Sequence, residues 1–220
     1  MESPTALEIP MIRYVSGTDL WLHPHLARTM FADRARQFSD RLGWPVDIDR
    51  NGFERDQYDP LNPVYVIVED DKGHHAGSIR LLPTTGPTMI NTYFASALQD
   101  GPIRDPAIWE CTRFCLAPTA SPRTAAKLFA SAGRLMQEMN ITALVAVFDR
   151  PMLRKYRVSG VPPAILGEGD VAGSEVMTGR WQFSRQQLQD LMHRAALDPL
   201  ACELAIANSS FCNARQHRSA

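Results

Sequence analysis

Missing from this sequence are a CxxC pair, any metal-finger spacing, an excess of either charge, and an apolar run near the ~20 residues that a membrane span needs. The four cysteines, Cys111, Cys115, Cys202 and Cys212, are therefore expected to be free thiols in a reducing cytoplasm. The six histidines are scattered or lie in polar stretches, so solvated or capping roles are expected and no metal site. A formal charge of -1 gives no basic field for nucleic acid. The opening MESPTALEIP has no basic segment followed by a long apolar stretch, so no secretory signal is expected. What is present is bulk. At 45% hydrophobic content, 220 residues can bury a sizeable core and point to one large domain.

The chain reads as a loose leader over residues 1–10, a domain over 11–207 and a polar tail over 208–220. Met11–Val15 is a short apolar strand candidate. From Leu20 to Leu42, Leu22, Leu26, Met30, Phe31 and Phe38 recur at helical spacing, with Gly43 as the stop. Val64–Glu69 and Ala76–Leu82 read as strands joined by a turn at Asp70–His75 with an Asp-Asp-Lys-Gly core. Ala107–Leu116 is a third strand. Ser121 and Pro122 then open a helix running to about Met139, with Leu128, Phe129, Leu135 and Met136 on its apolar stripe. Ile141–Phe148 is a continuous β-rich run of the kind that forms a central buried strand. Pro151–Val158 reads as a short helix, and Ser184 with Gln187 as a capping box opening another toward Leu197. A three-layer α/β arrangement follows.

Charges set inside apolar runs are costly unless paired, and three runs carry them. Arg80 lies mid-strand in Ser78–Leu82. It either faces water from an edge strand or presents a bidentate fork to a carboxylate. Glu54, Asp56 and Asp59 crowd one loop. They are either a solvated acidic cluster or a clamp for an ammonium or sulfonium cation. Glu110 and Arg113 share one strand among aromatic residues. Glu110 is either a salt-bridged structural carboxylate or a general base with a raised pKa. Strict alternation sends Glu110 and Arg113 to opposite faces, so they share a site only across a bulge. Trp44 is either a core aromatic or a face for stacking on an adenine or sulfonium.

Taken in order, Arg34, Phe38 and Trp44, then Glu54-x-Asp56-x-x-Asp59, then Arg80 before Thr84-Thr85-Gly86-Pro87, then Glu110-x-x-Arg113 closely resemble the LuxI-type acyl-homoserine-lactone synthases of quorum sensing. The match covers about Arg34–Arg113; beyond Phe114 it is mainly one of pattern. The resemblance implies a GNAT-like three-layer αβα fold around a mixed, mostly antiparallel sheet. It implies acylation of the α-amine of S-adenosylmethionine by an acyl thioester, then lactone closure with release of methylthioadenosine. It assigns the base to Glu110, with Arg113 holding Glu110 or an active-site carboxylate. Arg80 would meet the substrate carboxylate, and Asp56 and Asp59 would orient the amine. Arg34, Phe38 and Trp44 would form a lid over the adenosylmethionine.

The donor implied is an acyl carrier protein, with acyl-coenzyme A as the alternative. Arg150, Arg154, Lys155 and Arg157 form a basic patch that is either a carrier-docking surface or an ordinary solvated helix face. The acyl pocket is expected between the Ile141–Phe148 strand and the long helix, lined by Leu128, Met136, Leu144, Ala146 and Phe148. Ala146 and Phe148 occupy the positions where a hydroxyl would bond a 3-oxo group, which favours an unsubstituted or differently substituted chain. No cofactor and no metal are expected. One rival reading is a GNAT acyltransferase that acylates another amine from a coenzyme A thioester, but Leu116–Arg123 carries no glycine to cradle a pyrophosphate. The other is a catalytically dead sensor of adenosylmethionine or lactone, against which Glu110 and Arg80 are both retained.

Overall fold

The computed structural model describes residues 12–171 and 173–209. The expected leader, and the expected tail from residue 210, lie outside them, as do Met11 and Cys212. Seven strands form one sheet in the order β1-β2-β3-β4-β5-β7-β6. They are β1 (Ile12–Ser16), β2 (Val64–Glu69), β3 (His75–Pro83), β4 (Ile108–Leu116), β5 (Ala143–Phe148), β6 (Ala164–Val171) and β7 (Ser174–Trp181). Every neighbouring pair is antiparallel except β4–β5, which is parallel.

Both faces of the sheet are covered, and the composition of β2 shows why. Val64, Val66 and Val68 pack toward α3 (Thr124–Met139), α5 (Arg185–Ala195) and α6 (Pro199–Ala207). Tyr65 and Ile67 pack toward Leu26, Met30 and Phe31 of α1 (Pro24–Ala35). A strand apolar at five successive positions, Val64–Val68, is stable only when buried on both sides. The result is the three-layer arrangement expected, with helix α4 (Arg150–Val158) close to its expected range. The capping box is also present. The Ser184 hydroxyl accepts the Gln187 amide at 3.2 Å, and the Gln187 side chain accepts the Ser184 amide at 3.0 Å.

Four expectations are corrected. The helix expected over Leu20–Leu42 is three pieces: a 3-10 turn at Gly17–Leu22, then α1, then a π-helical turn at Arg36–Arg41. Pro24 has no N–H to continue the earlier turn. At the far end the Leu42 amide reaches back five residues to the Gln37 carbonyl, at 3.2 Å. The long helix starts at Thr124 rather than Pro122, because the Ser121 hydroxyl faces Thr124 Oγ1 at 3.2 Å and caps no amide. His75 is not solvated. It is buried, with Nδ1 2.8 Å from Asp33 and Nε2 3.0 Å from Ser78. Finally, β6, β7 and α6 were not anticipated. Gly167 and Gly169 hid the hairpin, yet at Gly167 a Cβ would sit 2.1 Å from the Ala97 carbonyl, so the close approach demands glycine.

Candidate active site

Between Glu110 and Leu116 the alternation of β4 breaks. Trp109 and Cys111 before the break, and Phe114 and Leu116 after it, all pack into the core beneath α3. The parity has slipped by one residue. Opposite, β3 pairs Ser78 with Cys115 but Arg80 with Thr112, leaving Ile79 against both Arg113 and Phe114. Arg113 absorbs the extra residue with φ +53. A left-handed conformation costs a non-glycine residue about 1–2 kcal/mol. The expected bulge is present, and it sends Arg113 to the α1 side of the sheet.

There Arg113 meets two carboxylates. Its Nε lies 3.0 Å from Glu54 Oε1, and its Nη2 lies 2.9 Å from Glu54 Oε1 and 2.7 Å from Asp56 Oδ2. Arg34, from α1, bonds Glu54 Oε2 at 2.5 Å and grips Asp59 with two bonds of 2.9 and 3.0 Å. Arg80, from β3, grips Asp56 with bonds of 2.5 and 2.8 Å, touches Asp59 at 2.8 Å, and bonds Thr112 at 3.1 Å. Three guanidiniums thus interlock with three carboxylates in a formally neutral cage.

The electrostatics follow from that packing. Burial alone would raise Asp59, but the charges and hydrogen bonds of Arg34, with Arg80 and the Tyr65 hydroxyl, hold it far below the usual carboxylate range. Asp56 is likewise lowered, because Arg80 and Arg113 outweigh its burial. Arg80 is raised, with its carboxylate partners overcoming the burial that opposes its charge. The water-facing reading of Arg80 is excluded: it is 0% exposed in the second strand from the parallel seam. Of its five N–H donors, the bonds above use four. Arg34 is 1% exposed and locked into the cage. Phe38 is buried and stacks on half-exposed Trp44, centroids 5.4 Å apart and planes 10° apart.

Glu110 stands beside the cage and carries no direct ion pair among the described residues. Its carboxylate accepts amide N–H groups from Met89 at 3.0 Å and from Ile90 at 2.5 Å, both at the start of α2 (Met89–Thr92). Burial raises its pKa, and those two N–H groups together with Arg80 pull part of the shift back. Arg113 reaches not Glu110 but Met89, with Nη1 3.4 Å from Sδ. Parallel pairing of β4 with β5 ends at Glu110 and Val145, although β4 continues to Leu116 and β5 to Phe148. The strands therefore part immediately beyond the glutamate.

Through that parting lies the α3 side. Leu128, Met136, Leu144, Ala146 and Phe148 all sit in one buried core there. Sequence reasoning missed the rings around them. Phe129 of α3, Tyr156 of α4 and Trp181 of β7 join Phe114 and Phe148 in contacts of 5.0–5.9 Å between centroids. No local spacing signals such a cluster. Just before β5, the Thr142 hydroxyl donates to the Ala107 carbonyl at 3.1 Å. Arg150, Arg154, Lys155 and Arg157 are exposed, and Arg150 pairs with Glu168 and Glu175. A surface cavity of about 320 Å³ opens beside that pair, away from Glu110.

Comparison with known proteins decides the family. The autoinducer synthase profile matches residues 19–190. The chain belongs to the autoinducer synthase family. An acyl-homoserine-lactone synthase from Rhizobium etli is 38% identical over 170 residues, covering 74% of this chain and 79% of its own. Among solved structures, TofI in a complex with an inhibitor and MTA is 29% identical, with TM-score 0.66 over 81% of this chain and 94% of its own. The CoA-dependent acyl-homoserine lactone synthase BjaI, with SAM and isopentyl-CoA, has TM-score 0.76 over 86% and 90%; at 24% identity it speaks to the fold. A protein from Lactobacillus plantarum described as an N-acetyltransferase shares the fold at TM-score 0.54 and 14% identity, over 79% and 99%. The architecture is GNAT-like, and the activity is acyl-homoserine-lactone synthesis, an acyltransferase reaction.

Proposed function

We propose that this chain, as one synthase domain over residues 11–207, acylates S-adenosylmethionine with Glu110 as base and then closes the lactone. In the first step the α-amine attacks the thioester carbonyl. A C–N bond forms, the C–S bond breaks, and Glu110 takes the proton that the amine must shed, directly or through a water. In the second step the methionine carboxylate attacks the carbon next to the sulfonium and expels methylthioadenosine. The chemistry balances without a cofactor, since S-adenosylmethionine is a substrate.

The observation that carries this reading is a buried, unpaired carboxylate where β4 and β5 part, flanked by a cage that can trade partners with a zwitterion. Asp56 and Asp59 would orient the ammonium. Arg80 has one hydrogen left for a substrate carboxylate. Arg34 and Arg113 hold Glu54, Asp56 and Asp59 in place for them. Trp44, backed by Phe38, offers a half-exposed face to the adenosyl or sulfonium group.

The acyl chain would pass through the parting of the strands toward Leu128, Met136, Leu144, Ala146 and Phe148, and meet Tyr156 and Trp181 beyond them. β5 carries no hydroxyl residue, so an unsubstituted or differently substituted chain fits best. The exposed cations of α4 suit an acidic acyl carrier protein as donor. BjaI is CoA-dependent, which makes acyl-CoA the alternative. Such donors are cytoplasmic, which fits the free thiols of Cys111, Cys115 and Cys202. Among the described residues no helix is long and apolar enough to cross a membrane.

The test is direct. Purified protein with S-adenosylmethionine and acyl donors of graded length, carrier-bound and CoA-bound, should release methylthioadenosine and an N-acyl lactone detectable by mass spectrometry. No lactone from any donor overturns the reading.

A further inference from the structure

We propose that Met89 is a positioning residue for the base. Its main-chain N–H, with that of Ile90, fixes the Glu110 carboxylate, and its thioether ties the same turn to Arg113. The proposal rests on Glu110 acting as the base.

The first amides of a helix have no partner within it. At the start of α2 the usual remedy is absent, because Thr88 is extended (φ -139, ψ 153) and its side chain caps nothing. Glu110 supplies the cap instead, from a strand 20 residues further along the chain. Each of its oxygens is used once, Oε2 by Met89 and Oε1 by Ile90. That fixes the plane of the carboxylate and leaves a lone pair on each oxygen to receive a proton.

The turn is itself held rigid. Ile90 is fully buried among Leu98, Ile108, Ala143 and Val145. Met89 Sδ accepts from Arg113 Nη1, whose other nitrogens hold Glu54 and Asp56. The base and the cage are therefore joined through one residue, although Glu110 and Arg113 do not touch. The charged and titratable groups facing Glu110 are Arg80 from β3 and Asp56 and Tyr58 from the acidic loop, while Cys111, next along its strand, lies on the opposite face. None of these donates a hydrogen bond to it among the described residues, so the α2 amides carry its orientation.

Met89→Pro removes this N–H with little distortion. Position 89 is the first of the helix, where proline is accommodated, and an extended Thr88 suits the residue before proline. An amide donor favours the ionised carboxylate, so its loss raises the pKa of the base. The acid limb of the pH–kcat profile should then move up by about one pH unit, with the KM for S-adenosylmethionine within about twofold. Met89→Leu loses the sulfur but keeps the N–H. It should lower turnover a few-fold and keep the wild-type limb. If Met89→Pro shows no cooperative unfolding transition, an amide-to-ester replacement at position 89 deletes the same N–H without a ring. An acid limb shared by the Pro or ester variant and Met89→Leu overturns the proposal. Full activity in Glu110→Gln would instead remove the base role, a separable result.

Discussion

Arg80 closes on Asp56 with two parallel bonds, Nη1 to Oδ1 at 2.5 Å and Nη2 to Oδ2 at 2.8 Å. A lysine brings one compact ammonium and no fork. Arg80→Lys is expected to leave Asp56 or Asp59 short of a partner, destabilise the fold by about 2 kcal/mol, and raise the KM for S-adenosylmethionine. Urea unfolding and steady-state kinetics measure both. An unchanged urea midpoint would show that the fork carries no stability.

Asp56 and Asp59 titrate below the ordinary aspartate range in the folded protein. A depressed folded pKa gives stability that is present above the unfolded value and lost as pH falls through the folded one. Stability should therefore drop on acidification below about pH 4, before any surface contribution is counted. Asp59→Asn should be less stable at neutral pH and lose less on acidification. Parallel stability–pH curves for the two proteins would contradict this.

Arg113 holds φ +53 and also holds two carboxylates. Replacing it removes the ion pairs in either case, but only glycine relieves the backbone. Arg113→Gly should thus be more stable than Arg113→Ala by about 1 kcal/mol, with both inactive or nearly so. Equal thermal midpoints would argue against strain at the bulge.

Tyr156 packs edge-on against Phe129, Phe148 and Trp181. Tyr156→Leu is expected to deepen the space beyond the strand parting and shift kcat/KM toward longer acyl donors. It should also cost stability by about 1–3 kcal/mol. An acyl-length profile identical to wild type would place the chain elsewhere.

Much of this was legible in the sequence where local pattern decides structure. The Ile141–Phe148 run reads as a central buried strand, and β5 is buried between β4 and β7. Parity alone gave the condition that Glu110 and Arg113 share a site only if β4 breaks its alternation between them, and the break is there. Partnerships across long separations were not legible. Nothing in the spacing says that Arg34 meets Asp59, or that Met89 stands between Glu110 and Arg113. The π turn at Arg36–Arg41 escaped because its residues suit an ordinary helix, and the excess residue shows only in hydrogen-bond partners. The β6–β7 hairpin escaped because its glycines serve contact with Ala97 rather than strand propensity. One signal was overlooked: Asp198 before Pro199 is a cap-and-proline start, and Asp198 does cap the Leu200 amide at 3.0 Å.

The neutrality of the cage has a consequence for turnover. On the proposed reading S-adenosylmethionine would bring an ammonium, a sulfonium and a carboxylate, with counterparts for its charges among Asp56, Asp59 and the arginines. After reaction the ammonium is an amide, the sulfonium a thioether and the carboxylate an ester. Every charge that would draw the substrate in is erased by that chemistry. On the proposed reading neither the lactone nor methylthioadenosine would retain a charge for the cage to hold, and closure of Arg80 on Asp56, as seen here, would then compete with neither of them.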